Sequence, residues 1–237
     1  VETSAMPGRS LRIGMQNDLA ASHIGDWVLQ FRQALPDTAF YVELDYSTQM
    51  SNDVLTGELD LAVLYSPRHL PDLHFEMVGE VAYRMVSTDA SSLRQVTRDR
   101  YILANYSPAF SKAHERLLPE YSHAPIATGQ NAAMCGLIST LGGSAYVLDE
   151  SARDLVGSGQ CRLVIDAEPI MQPVFFAVHV RNRHKHRKAL AIVKREMPDV
   201  KIYFYGNADP ASVTYEIEHL GLISIEACNE LYNKCQV

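Results

Sequence analysis

The sequence predicts an α/β fold, and three observations carry that reading. Short apolar strands alternate with helix-spaced apolar residues through the first third of the chain. Polar, helix-starting residues follow those strands directly. One segment, Leu59-Asp60-Leu61-Ala62-Val63-Leu64-Tyr65, is apolar almost without interruption. A strand covered by helices on both faces reads as such a run, whereas a half-exposed strand alternates.

The elements follow in order. Leu11-Arg12-Ile13-Gly14-Met15 is a short strand, and Gln16-Asn17-Asp18 supplies helix-starting side chains. Ile24, Trp27, Val28, Phe31 and Leu35 recur at helical spacing until Pro36-Asp37 stops the helix. Phe40-Tyr41-Val42-Glu43-Leu44 is a second strand, Ser47-Thr48-Gln49 precedes a short helix, and Gly57-Glu58 turns into the apolar third strand. Residues 81–86 read as a strand, 101–104 as the start of a second α/β run, 110–118 as a helix and 125–128 as a strand. A helix over 132–141, strands over 144–148, 162–165 and 174–180, and a helix over 184–196 complete this part. Beyond it, 200–205 and 213–218 have strand character and 224–233 has helical character.

Composition narrows the function classes. The chain has 237 residues, 47% hydrophobic and 21% charged, ordinary for a globular protein. The longest apolar run is far short of the ~18–20 residues that span a bilayer, so no membrane role is expected. Twenty-one basic against 28 acidic residues give a net charge of −7. DNA binding draws on Lys and Arg neutralising phosphates, so this stretch is a poor DNA-contacting part. The chain opens on Val1 with no charged-then-apolar leader, so it reads as a mature, truncated or excised piece, and a cytoplasmic setting is expected. Cys135, Cys161, Cys228 and Cys235 form no CxxC pair, and no HExxH, GxSxG or P-loop is present. No catalytic residue, metal site or cofactor is expected.

The ordered landmarks carry a resemblance. Leu11-Arg12-Ile13-Gly14 opens the domain, and Phe31-Arg32 with Leu35-Pro36-Asp37 closes the first helix. The phrase Leu55-Thr56-Gly57-Glu58-Leu59-Asp60-Leu61-Ala62-Val63, then Leu141-Gly142-Gly143-Ser144-Ala145 and Arg181-Asn182-Arg183, follow at matching spacing. Over residues 11–197 the chain resembles the effector-binding domain of LysR-type transcriptional regulators. The resemblance implies two Rossmann-like lobes with two crossovers, like type 2 periplasmic binding proteins. Residues 1–10 would be a linker remnant, 11–85 plus 176–197 lobe I, and 86–175 lobe II, with crossings near 85–87 and 173–175. It further implies a homodimer or higher oligomer, and DNA contact only through an N-terminal helix-turn-helix outside this chain. Two departures stand out: Asp149 replaces the family's usual Pro, and residues 198–237 extend past the family's usual end.

Small ligands of open α/β sheets bind beyond the carboxyl ends of strands, where helix N-termini point inward. Gln16, Asn17 and Asp18 are the first candidates, with helix capping as the alternative role. Asp18 would disfavour a bare anion and favour an effector carrying an amine or several hydroxyls. Ser47 and Thr48 after the second strand, and Tyr65 and Ser66 after the third, are next. Across the cleft, Gly129, Gln130 and Asn131 open the helix over 132–141; Tyr106 with Ser107, and Phe175, are further candidates. The expected effector is a small polar molecule. Two alternatives share the fold: a solute-binding protein of a transport system, and a thiol redox sensor of the same family. His184-Lys185-His186 reads as a solvated basic face rather than a metal site.

Overall fold

The computed structural model describes residues 9–68 and 70–197, together with two short strands at 202–204 and 217–219. Eleven strands and six α-helices are described. Strands β1 (Arg9–Met15), β2 (Thr38–Leu44) and β3 (Leu61–Leu64) alternate with helices α1 (Asn17–Ala34) and α2 (Ser47–Thr56). Then come β4 (Leu73–Ser87), β5 (Ile102–Ala104), α3 (Pro108–Leu117), β6 (Ile126–Thr128), α4 (Asn131–Leu141) and β7 (Ser144–Leu148). Helix α5 (Asp149–Gly157), β8 (Arg162–Leu163), β9 (Ile170–His179) and α6 (Arg187–Glu196) follow.

The main sheet runs β2-β1-β3-β9-β4-β7, with β8 also on β4. β1 pairs parallel with β2 and β3, while β3–β9, β4–β9 and β4–β7 are antiparallel. The apolar run of the third strand has the predicted cause. Leu61 and Val63 enter a core shared with Trp27, Phe31, Ala189 and Val193 of α1 and α6. Ala62 and Leu64 face the opposite core, with Met50 and Val54 of α2. Alternating side chains of one strand therefore serve two helical layers.

A third core surrounds the second run of elements, joining Tyr83, Met85 and Val86 of β4 to Phe110, Met134, Ile138, Tyr146 and Ala152. The two antiparallel strands β4 and β9 belong to both parts. On β4, Val78 packs in the first core and Tyr83 in the third, with Val81 touching both. On β9, Val174 and Phe176 lie in the first core and Ile170 in the third. Met85 thus packs with the lobe II core, and the change of core falls nearer Val81 than residues 85–87. A register shift between Met77 and Gly79 interrupts the β4–β9 ladder at this junction.

Three stretches differ from the sequence reading. β4 begins at Leu73, eight positions before the expected 81, because Glu76, Gly79 and Glu80 break its apolar pattern while its backbone stays paired to β9. Helix α5 was absent from the expectation; it starts at Asp149, the position of the family's usual Pro, where Asp149 pairs with Arg84 and, at 3.2 Å, with Arg153. The basic run is not uniformly solvated: Lys185 is exposed, but His186 is buried against Asp60, which lies 3.8 Å from its Nε2.

Residues 199–237 form a separate unit, in which β10 (Ile202–Phe204) pairs parallel with β11 (Ile217–His219). The helix expected over 224–233 lies outside the described residues.

The glycine-containing motifs have physical causes. Gly57 ends α2 with φ +84°, the left-handed conformation that favours glycine. Asp60, three residues on, accepts a bond from the Arg12 N–H at 2.9 Å and donates its own N–H to the Arg12 carbonyl at 2.9 Å, prolonging the β1–β3 pairing. Gly142 and Gly143, with φ +70° and +100°, end α4 and start β7. A Cβ on Gly143 would lie 2.0 Å from the Arg100 carbonyl oxygen, so no other residue fits there.

Candidate functional site

The starts of α1, α2 and α4 and the end of β3 meet at the junction between the lobes. Gln16 precedes α1, and its backbone N–H donates to the Val63 carbonyl at 3.0 Å, tying that helix start to β3. Ser47, the first residue of α2, donates its hydroxyl hydrogen to Gln16 Oε1 at 3.1 Å. The same Ser47 oxygen accepts from the N–H groups of Tyr65 and Ser66, at 3.1 and 3.2 Å. One buried hydroxyl thus joins three strand ends.

Asp18 is the charged centre of the junction. It lies in the first turn of α1 and caps nothing in its own helix. Its Oδ1 accepts the backbone N–H of Asn131, the first residue of α4, at 2.9 Å. Its Oδ2 accepts the Tyr83 hydroxyl at 3.0 Å. The Tyr65 hydroxyl lies 3.3 Å from that of Tyr83. A phenol has one hydrogen, and the carboxylate is the stronger acceptor, so Tyr83 donates to Asp18 and Tyr65 donates to Tyr83. Asp18 is 5% exposed, and its partners are a backbone N–H and a phenol. Burial pushes its carboxyl above the usual value, outweighing the two bonds that pull it down. The phenols of Tyr65, Tyr83 and Tyr106 are also pushed up, chiefly by burial.

A second polar link joins the lobes through Gln172 on β9. Its amide donates to the carbonyls of Tyr65 and Pro173, at 3.3 and 3.0 Å, and its side-chain oxygen accepts from Ser107. Ser107 also accepts the Phe110 N–H at 3.0 Å, as the cap of α3. The Asn131 side chain accepts from the Leu148 N–H and donates to Ser151, both at 2.8 Å. Gln130 reaches the Tyr46 hydroxyl at 3.5 Å, from one lobe to the other.

The residues expected at a site divide into two groups. Gln16, Asp18, Ser47, Tyr65 and Asn131 are buried and share the network just described. Asn17, Ser66, Gly129 and Gln130 are half-buried and Thr48 is exposed, around that network. Tyr106 does not present its hydroxyl to a cleft: it donates to the Tyr146 carbonyl at 2.7 Å, and its ring stacks on Tyr83 with centroids 4.4 Å apart. Phe175 pairs with Leu64 and Met77 and packs against the core under α2. Neither Asn17 nor Thr48 caps its helix through its side chain.

Sequence reasoning did not include Tyr83 and Gln172. Gln172 is a fully buried amide within a strand, flanked by Met171 and Pro173, and a lone polar residue in an apolar strand is the signal that marks such a position. Tyr83 carries no such mark, because a tyrosine in a strand reads as core.

Of the four cysteines two lie among the described residues: Cys135 on α4, hydrogen-bonded to the Ser151 that also meets Asn131, and Cys161 beyond α5; Cys228 and Cys235 lie outside them. The turn carrying Cys161 rests against α4, where Ser139 donates to Gln160 at 2.9 Å. Cys135 and Cys161 are both free. Burial pushes each thiol up, away from the thiolate that reacts with peroxides. Among the described residues no group of three or more His, Cys, Asp or Glu is placed to hold a metal, and no helix is long and apolar enough to cross a membrane.

Two α/β lobes joined by a pair of antiparallel strands, with polar helix starts facing one another across the junction, define a two-lobed ligand-binding module. The LysR substrate binding domain model matches residues 4–197, and the chain belongs to that family, the effector-sensing regulatory domain of LysR-type transcription regulators. Solved structures agree in fold. The reduced regulatory domain of OxyR2 from Vibrio vulnificus is 16% identical with a TM-score of 0.62, over 82% of this chain and 98% of that one. The regulatory domain of MexT, a transcriptional activator in Pseudomonas aeruginosa, is 16% identical with a TM-score of 0.63, over 78% and 98%. Full-length LysG from Corynebacterium glutamicum, solved with bound effector Arg, is 11% identical with a TM-score of 0.60, over 78% and 67%. No curated protein matches the sequence.

Proposed function

We propose that this domain senses a small polar effector at the junction of its lobes and reports it as a change in lobe orientation to a DNA-binding part elsewhere in the regulator. The observation that carries the reading is the cross-lobe polar network: Asp18 of lobe I bonds Asn131 of lobe II, and half-buried Asn17, Ser66 and Gln130 surround it. A ligand that adds bonds on both lobes favours one relative orientation, and differential affinity for two orientations is what a sensor requires. The role is binding rather than catalysis, and the setting is cytoplasmic. Paired copies of the domain would carry the change to the DNA-binding parts.

The test is a thermal-shift screen of amines, amino acids and polyols on the 237-residue chain, followed by hydrogen exchange with any hit. Protection concentrated at 16–18, 46–48, 65–66 and 129–131 is expected. Protection confined to other segments would place the effector elsewhere and overturn the reading.

A further inference from the structure

We propose that Asp18 fixes the charge class of the effector: its carboxylate occupies the N-terminus of α4 as a built-in stand-in for an anionic ligand, so the junction rejects oxyanions and takes ligands carrying an amine or hydroxyls alone. The proposal rests on the effector-site reading and adds the chemistry of the ligand.

An α-helix begins with N–H groups that have no partner inside the helix, and its dipole draws negative charge to that end. In α4, an 11-residue helix, the local cap is missing: Gln130 at the cap position makes no side-chain bond to the helix. The Asn131 side chain is already engaged with Leu148 and Ser151. The Asn131 N–H is instead met at 2.9 Å by a carboxylate from 113 residues earlier in the chain, on the opposite lobe. That is the position an effector carboxylate would take to bridge α1 and α4. With Asp18 in place, an incoming oxyanion finds its donor taken and meets a like charge where little water screens the repulsion.

A cation meets different terms. Each Asp18 oxygen accepts one bond, and a carboxylate oxygen has two lone pairs. Each oxygen thus keeps the capacity for one further donor, which an ammonium supplies and an oxyanion does not. Neutral hydroxyls find amides and hydroxyls at Asn17, Ser66 and Gln130 around the same centre.

The experiment needs no effector and so reads Asp18 independently of the reading beneath it. The backbone amide of Asn131 is followed by NMR on the 15N-labelled 237-residue chain during titration with sodium sulfate, ionic strength being held with chloride. In the wild type no saturable shift of that amide is expected. In Asp18→Ala the vacated N–H should take sulfate with a saturable shift, at least about tenfold tighter than any wild-type response, the scale of one charge-assisted bond. Asp18→Ser, whose side chain is too short to reach Asn131, supplies the same opening where the alanine variant folds poorly. Wild-type sulfate binding at Asn131 as tight as in either variant would overturn the proposal. So would a folded variant whose Asn131 amide ignores sulfate. Were the effector instead mapped away from the junction by hydrogen exchange, the site reading would fail while the sulfate result still reported on Asp18.

Discussion

The hydroxyl of Tyr83 donates to the carboxylate of Asp18 across 3.0 Å, joining a strand of the lobe II core to the first turn of the lobe I helix. Both groups are buried, so neither has water to replace the other. Tyr83→Phe should therefore cost about 1.5–3 kcal/mol, the range for a hydrogen bond to a charged group. Tyr65→Phe should cost less, because Tyr65 donates to a neutral phenol oxygen. Urea unfolding of both variants gives the comparison; equal losses would contradict the assigned donor directions.

Asp18→Asn should be nearly neutral or slightly stabilising. Its oxygen can still accept from Asn131, and its amide can donate to Tyr83 while the cost of burying a charge disappears. Asp18→Ala removes the acceptor from both lobes and should lose about 1–3 kcal/mol. Thermal unfolding near neutral pH separates the two.

Two glycines should respond in opposite senses. Gly136 lies in the middle of α4 with open space around it, so Gly136→Ala should stabilise by about 0.5–1 kcal/mol. Gly143→Ala would drive a methyl into the Arg100 carbonyl at a positive φ, with a loss above about 3 kcal/mol. Expression yield and denaturation midpoints measure both.

Acid should weaken the fold through two histidines. Burial holds His114 and His186 below the ordinary 6.5, against the pull of Glu120 on one and Asp60 on the other. The unfolded chain therefore takes up these protons first as pH falls. Their stability contribution is intact above about 6.5 and is lost as pH drops through that value toward the folded ones. Asp18, shifted upward, acts in the opposite direction at lower pH, where the folded chain binds its proton first. A falling melting temperature from about pH 7.5 to about pH 5.5 is expected, shallower in His114→Gln.

The raised thiols should be slow to react. Native chain treated with iodoacetamide at neutral pH should modify Cys135 and Cys161 far more slowly than denatured chain, by mass spectrometry. Rapid modification of either in the folded protein would revive the redox reading.

The main strands and helices were legible where one periodicity dominated. Leu61 to Leu64 announced a doubly covered strand, and Trp27 with Phe31 marked the inner face of α1. The ordered motifs identified the family because Gly57, Asp60, Gly142 and Gly143 each satisfy a local backbone need. The start of β4 was hidden because its pairing to β9 is a backbone matter that Glu76 and Glu80 do not reveal. The meeting of the helix starts at 16–18, 47–48 and 129–131 was legible, because an open α/β sheet brings such starts to one end of its strands. Their wiring was not, since the Asp18–Asn131 bond spans 113 residues and no spacing rule reaches that far.

Gly79 lets the last helix settle close against the two long antiparallel strands. It stands at the register shift of the β4–β9 ladder, and a Cβ there would come within 2.9 Å of the Met197 side chain just beyond α6. The slipped stretch of the β4–β9 ladder and the residue just past the last helix are thus packed with no room for a side chain between them. A bulkier residue at 79 would wedge the end of α6 off the sheet while making no contact with the polar junction at Asp18.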